Sequence, residues 1–260
     1  SRYPAVIIID TDFADDIALI SDILEKAQEL LEQVESAASQ VGLQINSTKT
    51  EFMMYNLREG DICTADRTKL KQVQDFQYLG SWVDQSKQDL NIRKAEAWPA
   101  LNKLTAIWKS NLGRKLKVRF FRATVETVLL YGSEAWTLTS SLEKQLDGCY
   151  TRLLRAALNV NWSDHMTNIE LYRDITPISA RLRDRRLRFS GLCWRRKSEI
   201  ISQMLFWEPS RGKRTRGRPA MTYIDQLEKD TCLPRQELPK IMENRTEWIK
   251  LVKSVRVRST

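Results

Sequence analysis

The sequence predicts an α+β fold, with a small strand-and-helix head leading into a mainly helical body. Three observations carry that reading. Short apolar runs broken by turn residues fill the first part of the chain, around one strongly periodic helix. From residue 88 onward the apolar spacing changes to steps of three and four and stays there. The charge changes at the same place. Residues 1–90 hold 8 Lys+Arg and 16 Asp+Glu, a balance of −8, and the remainder holds 34 and 17, a balance of +17. An acidic head on a basic body fits a head that holds cations and a body that holds a polyanion. A basic surface that is merely solvated gives the same count.

The elements follow in order. An apolar run at 5–9, an acidic turn at Asp15-Asp16 and the run IALI at 17–20 read as a hairpin. A helix comes next, with Asp22 as its cap and Glu25 as the capping-box partner. Leu24, Ala27, Leu31, Val34, Ala38 and Val41 share its apolar face, and Gly42 ends it. LQI at 43–45 and EFMMY at 51–55 read as short strands joined by the turn at 46–49. FQYLGSWV at 76–83 is a further β element.

In the body, Trp98, Leu101, Leu104 and Trp108 fall on one helical face that Pro99 should kink or delay. Leu116, Phe120, Ala123, Thr127 and Leu130 mark a second helix, stopped near Gly132. Ser140 with Glu143 caps a third, carrying Leu142, Leu146, Cys149, Leu153 and Ala157. Pro177 sits near the first turn of an arginine-rich fourth. The segment EPSRGKRTRGRP at 208–219 has no periodicity and reads as a basic linker, and helices around 222–230 and 239–255 close the chain.

Composition excludes several classes. Cys63, Cys149, Cys193 and Cys232 are far apart and His165 is the only histidine, so a structural zinc site is not expected and the thiols read as reduced, in an intracellular protein. No run approaches the roughly 20 apolar residues of a membrane span, and no secretory leader is visible. The chain opens at Ser1, already close to an apolar run, which reads as part of something longer.

Chemistry concentrates in a few places. Asp15 and Asp16 offer adjacent hard oxygen ligands at a hairpin tip, a pattern that suits Mg²⁺ shared with phosphate oxygens and equally suits a plain turn. Between residues 181 and 218 lie 13 Lys and Arg against Asp184, Glu199 and Glu208. Arg181, Arg185 and Arg188 stand on one helical face at a spacing that can track phosphates, with Arg195 and Arg196 a turn or two further on. Trp194 among them could stack a base, whereas Phe189 reads as core. In the linker, Lys213, Arg214, Arg216 and Arg218 add charge, and Arg216-Gly217-Arg218-Pro219 resembles the minor-groove clip of an AT-hook.

The order of motifs is more specific than any one of them. Phe13-Ala14-Asp15-Asp16, a helix ending at Gly42, Gly42-Leu43-Gln44-Ile45-Asn46 with Lys49, and Phe76-Gln77-Tyr78-Leu79-Gly80 resemble the successive polymerase motifs of reverse transcriptases. The likeness is to non-LTR, LINE-type retrotransposons, RTE-like ones in particular. It implies that Asp15 and Asp16 are catalytic carboxylates binding Mg²⁺, that Lys49 approaches the leaving pyrophosphate, and that Tyr78, Leu79 and Gly80 form a primer grip. It implies a partial palm over 1–87, a helical thumb over 88–175 and a basic nucleic-acid-binding extension over 176–260. Expected partners are an RNA template, a DNA primer or target and deoxynucleoside triphosphates, with no membrane. Expected localisation is the nucleus and cytoplasm, within a ribonucleoprotein.

Family members often place a histidine after the glycine that matches Gly191, where this sequence has Leu192. The family also needs a further aspartate from an earlier strand, so the 260 residues alone are expected not to polymerise. The rival expectations are a non-catalytic nucleic-acid-binding remnant and a helical domain whose basic face only keeps it soluble.

Overall fold

The computed structural model describes residues 8–54, 60–83, 85–197, 199–207 and 221–258. The chain divides into two compact units, Ser1–Asp84 and Gln85–Thr260. Among the described residues, short strands are confined to the first and most of the helix lies in the second, in agreement with the expected α+β class.

The first unit opens with β1 (Asp10–Phe13) and β2 (Asp16–Leu19), an antiparallel pair in which Phe13 faces Asp16 and Asp10 faces Leu19. Its turn is Ala14-Asp15, one residue earlier than expected, so Asp16 belongs to a strand. Helix α1 (Leu24–Gln40) follows. Asp22 does not cap it: Ile23 stands at that position and the Ser21 hydroxyl accepts the Ile23 N–H at 3.3 Å. Gly42, at φ 77°, takes the left-handed turn beyond the helix that its lack of a Cβ allows. Val41, expected on the apolar face, is exposed. Residues 43–45 form no strand.

The short strand β3 (Glu51–Phe52) pairs parallel with β4 (Lys71–Gln72), and β5 (Gln77–Tyr78) pairs antiparallel with β6 (Ser81–Trp82). A small core of Leu31, Ile62 and Leu70, with Leu19, Leu24, Ala27, Ile45 and Phe52 packed on it, holds helix and strands together.

The second unit is helical throughout its described residues: α2 (Ser86–Asn102), α3 (Thr105–Lys109), α4 (Arg114–Leu129), α5 (Ser140–Ala157), α6 (Asn168–Tyr172), α7 (Ile178–Arg195), α8 (Ile200–Met204), α9 (Tyr223–Thr231), α10 (Leu238–Glu243) and α11 (Arg245–Arg258). No described helix is long and apolar enough to cross a membrane. Pro99 does not delay α2. It lies in the last turn, and Lys103 N–H closes on its carbonyl at 3.1 Å. Thr139, not Ser140, caps α5.

The largest departure from expectation is in α4. Val118, Phe121, Val125 and Leu129 form its buried face, whereas Leu116, Phe120, Ala123 and Thr127 face solvent. The helix expected over 239–255 breaks at Asn244 into α10 and α11.

Among its described residues this unit forms two hydrophobic cores, and α7 contributes to both. Ile178 and Leu182 join the core built from α2, α4 and α5. Leu187 joins a second core with Leu227, Leu238, Met242, Trp248, Val252 and Val255. Between them Arg186, without exposure, ion-pairs with buried Asp230, which also accepts from Gln226 at 2.9 Å. Burial pushes the Asp230 carboxyl upward against the pull of Arg186.

One turn later α7 and α11 touch at Gly191. A Cβ there would lie 2.2 Å from Trp248 Nε1, whose N–H donates to the Leu187 carbonyl at 2.8 Å. At the other end of α7, Asp147 of α5 accepts the Ser179 N–H at 3.1 Å, satisfying a helix-start donor. Burial pushes the Asp147 carboxyl above its usual range, outweighing that bond.

Two predictions follow from this packing. Gly191→Ala is expected to destabilise the second unit by about 2 kcal/mol through overpacking against Trp248, read by urea denaturation. Protonation of Asp147 favours the folded state because folding raises its pKa. That stabilisation is present below about pH 4 and is lost as pH rises through the raised value. Asp147→Asn keeps the acceptor oxygen, so it should raise the melting temperature at pH 7, with the gain vanishing below about pH 4.

Candidate functional site

Strand pairing decides which aspartates keep company. Side chains alternate along a strand, and residues facing each other across a pair lie on the same side. Thr11, Phe13, Asp16 and Ala18 therefore share one face of the β1–β2 hairpin, and Asp10, Asp12, Ile17 and Leu19 share the other. Asp10 and Asp12 thus stand across the sheet from Asp16. Asp15 sits in the turn itself, preceded by Ala14 at φ 55°, a conformation that costs a residue with a Cβ. Asp15 and Asp16 are both exposed.

A second tight hairpin mirrors the first. Leu79 and Gly80, at φ 49° and 79°, form the two-residue turn between β5 and β6. Positive φ at both positions gives the turn whose twist suits a right-handed strand pair. Glycine accepts this freely, and Leu79, exposed at the tip, does not. Tyr78 ties the two hairpins together. Its hydroxyl donates to the Thr11 carbonyl at 2.9 Å and approaches the Asp16 carbonyl at 3.4 Å. Two strained tips, one beside the acidic pair and one beside its tether, lie within one small unit. Strain of this kind gathers at working sites.

Lys49 follows a turn organised by Asn46, whose Oδ1 accepts the Thr48 and Lys49 N–H groups at 3.1 and 3.2 Å. The lysine side chain is exposed, with no hydrogen bond or ion pair to the described residues.

Asp15 and Asp16 supply the hard oxygen donors that Mg²⁺ prefers. Among the described residues, however, no group of three or more His, Cys, Asp or Glu side chains could hold a metal ion. Two carboxylates on an exposed hairpin fit part of such a site and do not complete it.

The arginine-rich helix α7 is engaged along its length. Arg181 pairs with Glu126, Arg183 with Glu143 at 3.8 Å, and Arg185 with Glu134 at 3.1 Å. Arg188 pairs with Asp184 at 2.7 Å and Arg196 with Glu199 at 3.1 Å. Arg195 donates to the Met242 carbonyl at 3.0 Å. Trp194 packs edge-on to Phe206, donates to Glu243 and carries the Lys197 ammonium over its ring. Lys213, Arg214, Arg216 and Arg218 lie outside the described residues. Leu192, the position after Gly191, is exposed.

The Tyr78 tether is the part that sequence reading missed, since it joins residues 67 positions apart. The one local signal was Leu79-Gly80, a pair that ends in the glycine such turns favour.

Comparison with known proteins gives two matches. Residues 9–83 match the family described as reverse transcriptase (RNA-dependent DNA polymerase). Over 262 residues the chain is 27% identical to a transposon-derived protein of Caenorhabditis elegans, covering 93% of this chain and 94% of that protein. No solved structure matches the chain. The likeness is therefore to a reverse transcriptase in the head and to a transposon-derived protein along nearly the whole length.

Tyr78→Phe removes one donor and leaves the ring. It should lower the local protection of β1 and β2 by about 1 kcal/mol, read as faster amide hydrogen exchange at residues 10–19 with little change in the second unit.

Proposed function

We propose that the chain is part of an RNA-directed DNA polymerase of a non-LTR, RTE-like retrotransposon. In this reading it contributes the acidic hairpin and the primer grip of the palm, the thumb, and the basic C-terminal extension. The observation that carries the reading is the Asp15-Asp16 hairpin tethered by Tyr78 inside the stretch that matches the reverse-transcriptase family. The intact enzyme would add deoxynucleoside triphosphates to a DNA primer on an RNA template.

Asp15 and Asp16 would hold Mg²⁺ together with ligands from outside the described residues. When bound, the metal supplies charge neutralisation at the reacting phosphates. Lys49 would offer a cation and a proton donor to the leaving group. Tyr78 would fix where the hairpin stands relative to the Leu79-Gly80 tip, so that the grip on the primer and the acidic pair move together. A nuclear and cytoplasmic ribonucleoprotein is the setting this reading expects.

The alternative is a nucleic-acid-binding remnant without catalysis. The incomplete carboxylate set among the described residues is the observation that favours it.

The test is primer extension on an RNA template with Mg²⁺. The 260 residues alone are expected to bind template–primer, with log affinity falling steeply as log salt rises, and to incorporate nothing. In the same chain, Mn²⁺ should broaden the amide signals of Asp15 and Asp16 only at about millimolar concentration, and Asp15→Asn should remove the broadening. Incorporation that Asp15→Asn abolishes would show a complete site in this chain. Failure to bind any nucleic acid would overturn the polymerase reading and its alternative together.

A further inference from the structure

One tryptophan of the second unit is held out in solvent. Trp108, Trp136 and Trp248 are buried, but Trp162 is 89% exposed, and on the same segment Ile169 is 86% exposed. That segment is tied down at several points. Asp164 accepts the Asn161 N–H and Glu170 accepts the Thr167 N–H, both at 2.7 Å, and each closes a capping box. Arg155 of α5 donates to the Met166 carbonyl at 2.8 Å and to Asn168 Oδ1 at 2.9 Å. The Trp162 ring meets the His165 ring with centroids 5.8 Å apart. An indole on so anchored a turn loses little freedom when a partner covers it.

The charge of this segment runs against its surroundings. Residues 159–170 hold two carboxylates, Asp164 and Glu170, and no Lys or Arg, within a stretch of chain whose balance is +17. Both are exposed, and neither makes an ion pair among the described residues. Glu126, Glu143, Asp184 and Asp230 of the same unit are each paired with an arginine. Asp164 spends Oδ2 on its cap and Glu170 spends Oε2, which leaves the second oxygen of each without a hydrogen bond from the described residues. Hydrogen bonds from Thr167 hold the Glu170 carboxyl below its usual range, so its charge is kept.

We infer that the Trp162 turn docks a basic segment of another protein, with an arginine guanidinium laid over the indole and Asp164 and Glu170 supplying counter-charge. This surface goes beyond the polymerase reading and does not depend on it. The occupant follows from charge. A nucleic-acid base stacked on Trp162 would bring its phosphates toward two unpaired carboxylates. A second copy of the chain would set the same carboxylates against each other. A purely apolar partner would cover them without pairing them. A guanidinium answers the ring and the carboxylates together, since it stacks on aromatic faces and donates in a fork. The apolar stems of neighbouring basic side chains would lie against Ile169.

The test uses the full chain and measures fluorescence anisotropy of a short labelled peptide of alternating Arg and Gly, the same peptide with Gln in place of Arg, and single-stranded RNA. The substituted side chains are exposed, and Asn and Gln keep the capping acceptors, so circular dichroism and the melting temperature should not change. Trp162→Ala should weaken binding of the Arg peptide about tenfold. Trp162→Leu, which keeps an apolar side chain without the ring, should weaken it by a similar factor. Asp164→Asn with Glu170→Gln should weaken it about fivefold and flatten its salt dependence. Glu25→Gln with Glu29→Gln removes as much charge from exposed positions of α1 and should change the affinity less than about twofold. The Gln peptide should not bind, and Trp162→Ala should leave RNA affinity as it was.

A wild-type chain that ignores the Arg peptide, or that binds the Gln peptide as well, overturns this inference. So does undiminished binding by Trp162→Leu, or an equal loss from the α1 variant. A loss of RNA binding in Trp162→Ala would make the indole a stacking platform for bases and overturns it too. A wild-type chain that binds the Arg peptide but no RNA overturns the polymerase reading and leaves this surface standing.

Discussion

The buried pair between Arg186 and Asp230 sets what helix α7 can be. A guanidinium without exposure is tolerable only beside a carboxylate already held in place, and removing either partner of such a pair costs about 3–5 kcal/mol. That is a large part of the roughly 5–15 kcal/mol by which domains are stable. Two of the guanidinium nitrogens, Nε and Nη2, have no protein partner among the described residues, so the pair is not an optimised source of stability. Its effect is positional. Arg186 lies where α7 passes from one hydrophobic core to the other, and Asp230 fixes α9 against it at that point.

The same logic runs outward along α7. Carboxylates from α4, from α5 and from the turn at Glu134 meet its arginines, so much of the charge on this helix is balanced within the protein. Charge that is balanced at short range projects a weak field beyond a Debye length of about 8–10 Å. The +17 balance of residues 91–260 is therefore a poor guide to where a polyanion would settle. Exposed cations without an ion pair among the described residues, such as Lys115 and Arg119 of α4, matter more than the densest run of arginines.

This explains what was legible in the sequence. The faces of α1 and α5 were readable because each has one apolar stripe, and the glycine after α1 marked its end. In α4 both stripes are apolar, and periodicity alone cannot say which of two points inward. The arginine run was read as a free surface because Arg181, Arg185 and Arg186 find partners 44 to 55 residues away, out of sight of local pairing, although Arg188 and Arg196 pair with carboxylates within one turn. Asp15 and Asp16 were found from their motif, and the one-residue shift of their turn follows from Ala14 accepting positive φ. No spacing rule could have revealed that Tyr78 reaches the hairpin, since that contact is made only by the folded chain.

The contact between Gly191 and Trp248 has a consequence for descent. A methyl group at 191 has no room while an indole fills the space, and a smaller ring at 248 would leave a void above a bare glycine. Each single step leads through a less fit intermediate, so the two sites should change together or in one favoured order, with the aromatic shrinking first. In diverging copies of such a chain, that order of substitution would record whether selection for a folded product was still acting when they parted.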